Sequence, residues 1–361
     1  MSTLRVTAER LTIHPHPDAD ALELAQVGLY RAVVAKGAYR TGDFALYIPE
    51  QAVLPAELIA ELNLTGRLAG SRADRVKAVR LRGELSQGLV CRPRALAGED
   101  LARAAEAGTD FADRLGITKW APPVPTRMSG DVESAPDLLP WGDVENLRRH
   151  PDVFAPGEPV VVTEKLHGTA CLLTLLVAEK RVLVSSKGFG AKSLALKEDE
   201  RNVYWRAVRG HRLAEIATGL AERFGASRVG IFGEVHGAGV QDLTYGADAR
   251  SADAAPGFAA FDVAVESDGQ VRRLAPAELE ALASEYGLPL VPRLYAGPYD
   301  EALVLTLAEG EETVSGRAAH LREGVVIRPA TERHSPVLGA RAMAKAINPA
   351  YLTRKGGTEY E

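Results

Sequence analysis

The run Val160-Val161-Val162-Thr163-Glu164-Lys165-Leu166-His167-Gly168-Thr169 sets one lysine at the end of a β-branched stretch and follows it with a glycine. Val160 to Thr163 read as a buried strand, and Gly168 permits both a tight turn and the close approach of a ligand. Lys165 is then held on a rigid edge, where it can act as a covalent nucleophile. An amine attacks only in its neutral form. Such a lysine must therefore be desolvated, or set beside other cations, to bring its pKa below the ordinary value of about 10.4. A lysine with glycine three places on is commonplace at the surface end of a strand, so the weight rests on what accompanies it.

Five further short motifs follow in order: Ser185-Ser186-Lys187-Gly188, Phe232-Gly233-Glu234-Val235, Phe258-Ala259-Ala260-Phe261-Asp262-Val263, Glu323-Gly324-Val325-Val326-Ile327-Arg328 and Met343-Ala344-Lys345-Ala346-Ile347. Together and in this order they resemble the nucleotidyltransferase motifs of the covalent nucleotidyltransferases, the superfamily of DNA ligases, RNA ligases and mRNA capping enzymes. The segment Thr163–Thr169 looks like an RNA ligase, since DNA ligases usually carry aspartate where His167 stands. Gly233 to Leu243 resembles RNA ligases closely as well. An OB-like module precedes the catalytic part, and the few residues after Lys345 leave no room for the C-terminal OB domain of DNA ligases and capping enzymes. The nearest resemblance is to RNA ligases of the Deinococcus radiodurans type, over nearly the whole chain.

The resemblance implies roles residue by residue. Lys165 would attack the α-phosphorus of ATP, release pyrophosphate and hold AMP through a phosphoamide bond. AMP would pass to a 5′-phosphate, and a neighbouring 3′-hydroxyl would displace it to seal the strand. Lys345 would hold the α-phosphate and depress the pKa of Lys165. Glu234 would bind the ribose hydroxyls, Phe261 would stack on adenine, and Lys187 would contact ribose or phosphate. Glu323 would help to hold Mg²⁺ or Mn²⁺. Glu164, Leu166 and Gly168 flank the nucleophile and count with the nucleotide-binding set, with Ser186 and Asp262 in supporting places. Two departures stand out: Ile347 replaces a second basic residue of the last motif, whose contacts Arg341 could supply, and Ala170 stands where phage-type RNA ligases often have asparagine. The implied partner is nicked RNA or an RNA-containing duplex, with no membrane and no evident protein partner. DNA-nick sealing, guanylyl transfer, and a nucleic-acid-binding protein with an inactive catalytic domain remain open alternatives.

The elements that must position these residues divide the chain. At 361 residues, 46% hydrophobic and 25% charged, it reads as a soluble globular protein of two domains. The start, Met1-Ser2-Thr3-Leu4-Arg5, lacks an apolar signal-peptide core, and two cysteines are too few for a disulfide scaffold, so a reducing cytoplasm is expected. A net charge of −5 excludes indiscriminate coating of nucleic acid but leaves room for a local basic groove. Short strands at 25–27, 30–35, 44–48 and 76–81, punctuated by glycines, predict an OB-like β-barrel over 1–117. His14 to Glu23, Lys36-Gly37 and Gly42-Asp43 resemble the tRNA-binding type of this module. Arg67, Arg72, Arg75, Lys77, Arg80 and Arg82 could track a phosphate backbone or simply guard a solvated edge.

Residues 98–114 predict a connecting helix, and the proline-rich stretch 118–151 a linker with Trp120 and Trp141 as packing anchors. The remainder, 152–361, predicts an α+β nucleotidyltransferase domain built on antiparallel sheets with flanking helices. Its expected elements are consecutive antiparallel strands at 160–165, 172–177 and 182–185, one helix over 203–224, strands at 229–235, 258–265 and 325–327, and helices at 276–286 and 299–307.

Overall fold

The computed structural model describes residues 4–126, 128–250 and 254–358, so the N-terminal reading of Met1-Ser2-Thr3 lies outside the described residues. The chain forms two compact units. One comprises residues 1–121 and 145–151, the other 122–144 and 152–361. The stretch read as a linker is thus divided between them. Its first residues, Thr118–Lys119, pair with Ala52–Val53, and Val132–Ser134 pairs with Leu194–Leu196. Proline bars a segment only from donating at its own position, and between Gly130 and Pro136 there is room for a short edge strand.

The first unit carries two three-stranded antiparallel sheets. Thr7–Arg10, Phe44–Ile48 and Leu89–Cys91 form one, and Thr12–Pro15, Leu22–Val27 and Tyr30–Ala35 the other. Alternate residues of Tyr30–Ala35 are buried, as a strand with one solvated face requires. Leu46, Ile48, Leu54, Leu96 and Ile117 centre one core cluster, and Leu11, Ala25 and Tyr47 a second. The helix expected over 98–114 is only Leu101–Glu106, capped by Asp100 through bonds to Ala102 N and Arg103 N, with a separate turn at Asp113–Leu115. Of the basic cluster, Arg72 pairs with Asp74, Arg75 lies over the Trp120 ring at 3.9 Å, and Arg80 donates to Gly83 O.

The second unit is built on a seven-stranded sheet in the order Val132–Ser134, Leu194–Leu196, Arg181–Ser186, Thr169–Leu176, Arg228–His236, Gly257–Ser267 and Gln270–Arg273. Its central strands are apolar on both faces. Leu173, Ile231 and Val263 pack on helices, while Leu172, Phe232 and Ala264 pack with Leu139 on the other side. Instead of one helix over 203–224 there are two, Val203–Gly210 and Leu213–Phe224. Arg212 between them adopts φ 53°, a left-handed conformation that no α-helix continues through.

A further sheet runs in the order Ala344–Ile347, Gly324–Pro329, Pro159–Lys165, Arg293–Pro298. Pro159–Lys165 therefore does not pair with the strand that follows it, contrary to the expected consecutive hairpins. The chain leaves one sheet at Lys165 and enters the other at Thr169. Gly168 makes this crossing possible: a Cβ there would lie 2.1 Å from Val235 O. The His167 N–H donates to Tyr245 Oη instead of to a ladder partner.

Candidate active site

Lys165 ends the strand Pro159–Lys165 directly opposite Gly324. A Cβ on residue 324 would meet Ala346 O at 2.2 Å, so glycine lets the neighbouring strand close in. That packing brings the preceding residue, Glu323, to the nucleophile: Lys165 Nζ donates to Glu323 Oε1 at 2.7 Å. The other oxygen, Oε2, is buried and has no hydrogen-bond partner among the described residues.

Lys165 opens on a cavity of about 260 Å³, whose lining joins apolar and aromatic surface to charge. Trp141, Phe261, Leu279, Leu290, Val291 and Met343 supply the first; Lys165, Lys187, Glu234, Arg328 and Lys345 the second. Phe261 and Trp141 pack with ring centroids 4.7 Å apart. Lys187 pairs with Asp143 at 2.5 Å. Arg328 donates to Phe261 O and Leu274 O and pairs with Glu332, which fixes its guanidinium at the wall. A flat apolar slot beside several cations matches a heterocyclic base carrying phosphates.

The electrostatics of the amine reverse one expectation. Burial lowers the Lys165 pKa, but the charge of Glu323, the charge of Glu234 and the hydrogen bond to Glu323 outweigh it, leaving the amine above its ordinary value. The groups that hold the amine up are the carboxylates Glu323 and Glu234. Glu234 is pushed up to about 8, chiefly by burial and also by Glu323, against the lowering effects of Lys165, the Gly168 N–H and Lys187. Lys165 and Glu234 are thus both pushed above their ordinary values.

The other predicted residues fall into two groups. Leu166 and Glu164 line the cavity, but the Glu164 carboxylate is engaged by Thr313 N at 2.9 Å and Thr313 Oγ1 at 2.6 Å, with Arg322 at 3.6 Å. Burial raises its pKa against the pull of Thr313 and Arg322. Gly168, Ser186 and Asp262 are not in the lining. Gly168 contributes its N–H to Glu234. Ser186 caps the short helix Lys187–Gly190 by accepting from Phe189 N. Asp262 is wholly buried among Arg273, Arg328 and Arg341. Arg341 is in turn held by Asp262 at 2.6 Å and Glu332 at 2.8 Å, which removes it as a replacement phosphate ligand. Ile347 packs in an apolar cluster with Leu166 and Tyr351, and Ala170 lines the cavity. His167 turns into a buried network with Asp242 and Tyr351.

The RNA ligase family model matches residues 158–347, more than half of the chain and the whole span from the nucleophile strand to Ile347. This chain belongs to the RNA ligase family. A model of an OB-fold domain matches residues 5–93, so the ligase domain follows an N-terminal OB-fold domain. Among solved structures, Naegleria gruberi RNA ligase is similar over nearly the full length. A mutant with ATP and Mn is 23% identical, covers 96% of this chain and 98% of its own, and gives a TM-score of 0.76. The same protein with PPi is 24% identical over 97% and 98%, with a TM-score of 0.76. Another mutant, with AMP and Mn, is 23% identical over 97% and 98%, with a TM-score of 0.77. At this identity the likeness shows the shared fold. A comparison with curated proteins finds no match.

Several residues of the site and its surroundings carried no role in the sequence reading. Arg328 and Asp242 stand inside quoted segments without one, Trp141 is read only as an anchor, and Tyr351 and Arg354 have none. For Arg328 the signal was available, as a charge on the same face as Val326 of a strand otherwise apolar. No helix among the described residues is long and apolar enough to cross a membrane.

Proposed function

We propose that the protein is an ATP-dependent RNA ligase that takes AMP onto Lys165, passes it to a 5′-phosphate end and seals the nick with a 3′-hydroxyl. The observation that carries this reading is the Lys165–Glu323 pair at 2.7 Å, whose lysine lines a cavity with aromatic surface and four cations, Lys165 included. Lys165 Nζ forms the bond to the α-phosphorus, pyrophosphate leaves, and the amine's proton must be given up first. Lys345, Lys187 and Arg328 supply positive charge for the phosphates, and Phe261 with Trp141 supplies the face for the base. Glu234 is the ribose-facing group of the proposal.

The donor set also suits a divalent cation. A buried carboxylate oxygen without a partner, Glu323 Oε2, is the kind of hard ligand that Mg²⁺ or Mn²⁺ takes. Among the described residues there is no cluster of three or more His, Cys, Asp or Glu side chains that could hold a metal. Glu323 would therefore share the ion with water and nucleotide phosphates, the manner in which Mg²⁺ is commonly held. Such an ion would neutralise charge on the transferring phosphoryl group.

The finer reading is a ligase of the Deinococcus radiodurans type acting on nicked RNA or RNA-containing duplex in a reducing cytoplasm, which the two buried free thiols, Cys91 and Cys171, suit. Residues 1–117 are proposed to grip the duplex and 152–361 to carry the chemistry, with Trp141 of the intervening stretch 118–151 supplying part of the base face. The test is nick sealing with ATP or GTP on duplexes whose 3′-terminal sugar is varied. Sealing with ATP at a ribose terminus is expected; sealing only with GTP, or only at a deoxyribose terminus, would overturn the assignment. Removal of residues 1–117 is expected to weaken sealing more than AMP uptake.

A further inference from the structure

The crossing Leu166-His167-Gly168, which carries the nucleophile from one sheet to the other, is fastened by the C-terminal segment. His167 is buried, with Nε2 2.7 Å from Asp242 Oδ1 and Nδ1 2.7 Å from Tyr351 Oη. Arg354 closes this arrangement. Its guanidinium lies 3.6 Å over the Tyr351 ring and donates to both oxygens of Asp242 at 3.1 Å. Thr358 then binds Asp242 through its N–H at 2.8 Å and its hydroxyl at 2.9 Å. From the same hydroxyl a line reaches the next residue of the crossing. The Thr358 hydroxyl lies 2.9 Å from Gln241 Oε1, and Gln241 Nε2 donates to Gly168 O at 3.2 Å.

Burial works against the Asp242 carboxylate, yet the bonds from His167, Arg354 and Thr358 hold it well below the usual range, which keeps it ionised as the hub. Both residues after Leu166 are thereby pinned to one short segment, Tyr351–Thr358.

We propose that this segment is a strap that positions Lys165 for attack on the nucleotide, with His167 and Tyr351 as positioning residues that do not touch the reacting atoms. The inference rests on the ligase reading above and adds a place of action. Attack by Lys165 needs its amine held within a fraction of an ångström of the reacting phosphorus. In the last step AMP already sits on the nucleic acid and the 3′-hydroxyl displaces it, so the Lys165 amine no longer attacks and its exact position matters less. The strap therefore separates the two half-reactions.

The experiment compares the full-length protein with its Tyr351→Phe variant, which loses only the hydroxyl on His167 and keeps the ring under Arg354, and with Thr358→Val, which loses the hydroxyl that lies between Gln241 and Asp242. Two rates are measured: AMP transfer to the protein from α-labelled ATP with Mg²⁺, and sealing of a nick whose 5′ end already carries AMP. Thermal melting records that each variant is folded. AMP transfer is expected to fall about tenfold in Tyr351→Phe, the worth of one buried hydrogen bond, while sealing of the adenylylated nick is unchanged. A parallel fall of both rates, or no fall in either, overturns the strap. If the unaltered protein takes no AMP from ATP, the ligase reading falls and the strap with it.

Discussion

Replacing Glu323 by glutamine tests the electrostatics of the nucleophile without bound nucleotide. The substitution preserves shape and a hydrogen-bond acceptor but deletes the charge 2.7 Å from Lys165 Nζ. At that separation two unit charges attract by about 6 kcal/mol at an effective dielectric constant near 20, and by about 1.5 kcal/mol in bulk water. Lys165 keeps 27% of its side-chain surface exposed. A value between those limits, about 3 kcal/mol, is the stabilisation that the charged amine loses, so its pKa falls. Burial, no longer outweighed by Glu323, pulls in the same direction. The assay is competitive labelling by an amine-reactive reagent across alkaline pH, read by peptide mass spectrometry, with exposed Lys180 as internal reference. Lys165 should label only at high pH in the unaltered protein and at distinctly lower pH in Glu323→Gln. An unchanged or raised midpoint would refute the assignment of Glu323 as the group that keeps the amine protonated.

Three other outcomes follow from neighbouring residues. Because folded Glu234 keeps its proton up to about pH 8, against an ordinary value of 4.5, its contribution to stability is complete at low pH and is lost as pH rises across that window. The stability of the unaltered protein relative to Glu234→Gln should therefore fall from pH 5 to pH 8 by up to ~1.4 kcal/mol per unit, and a relative stability that rises with pH would contradict the burial of this carboxyl. Asp262→Asn leaves Arg273, Arg328 and Arg341 facing one another, and denaturant unfolding should show a loss of about 3–5 kcal/mol, whereas a loss under 1 kcal/mol would mean that the cluster is not held by this charge. Phe261→Leu should raise the KM for ATP about tenfold with little change in melting temperature, and an unaltered KM would remove Phe261 from the base slot.

Much of the catalytic unit was legible because strand alternation and glycine report on local geometry. Gly168 was legible as a turn with a close approach, and the structure shows the approach to be that of another backbone; at Gly324, which was read only within its motif, another backbone likewise passes too close for a Cβ. What stayed hidden depends on contacts distant in sequence. Nothing near Lys165 announces that Glu323, far along the chain, sits on its amine, so the expected depression of its pKa was reversed. Ser186 reads equally well as a ligand contact or a helix cap, and only the position of Phe189 N separates the two. The strand that carries Lys165 looks like the first arm of a hairpin, because pairing partners across sheets leave no local trace. In the first unit the strands Thr7–Arg10 and Thr12–Pro15 are too short and polar to stand out, and their identity is set by pairing with Phe44–Ile48 and Leu22–Val27.

The most direct measurement is the site of covalent AMP. The full-length protein is incubated with ATP and Mg²⁺ or Mn²⁺, digested and mapped by mass spectrometry at neutral pH, where a phosphoamide survives. Covalent catalysis by Lys165 predicts a single peptide heavier by one AMP, the one that contains Lys165, and no adduct in Lys165→Ala. An adduct on another residue, or one that persists in Lys165→Ala, would contradict it.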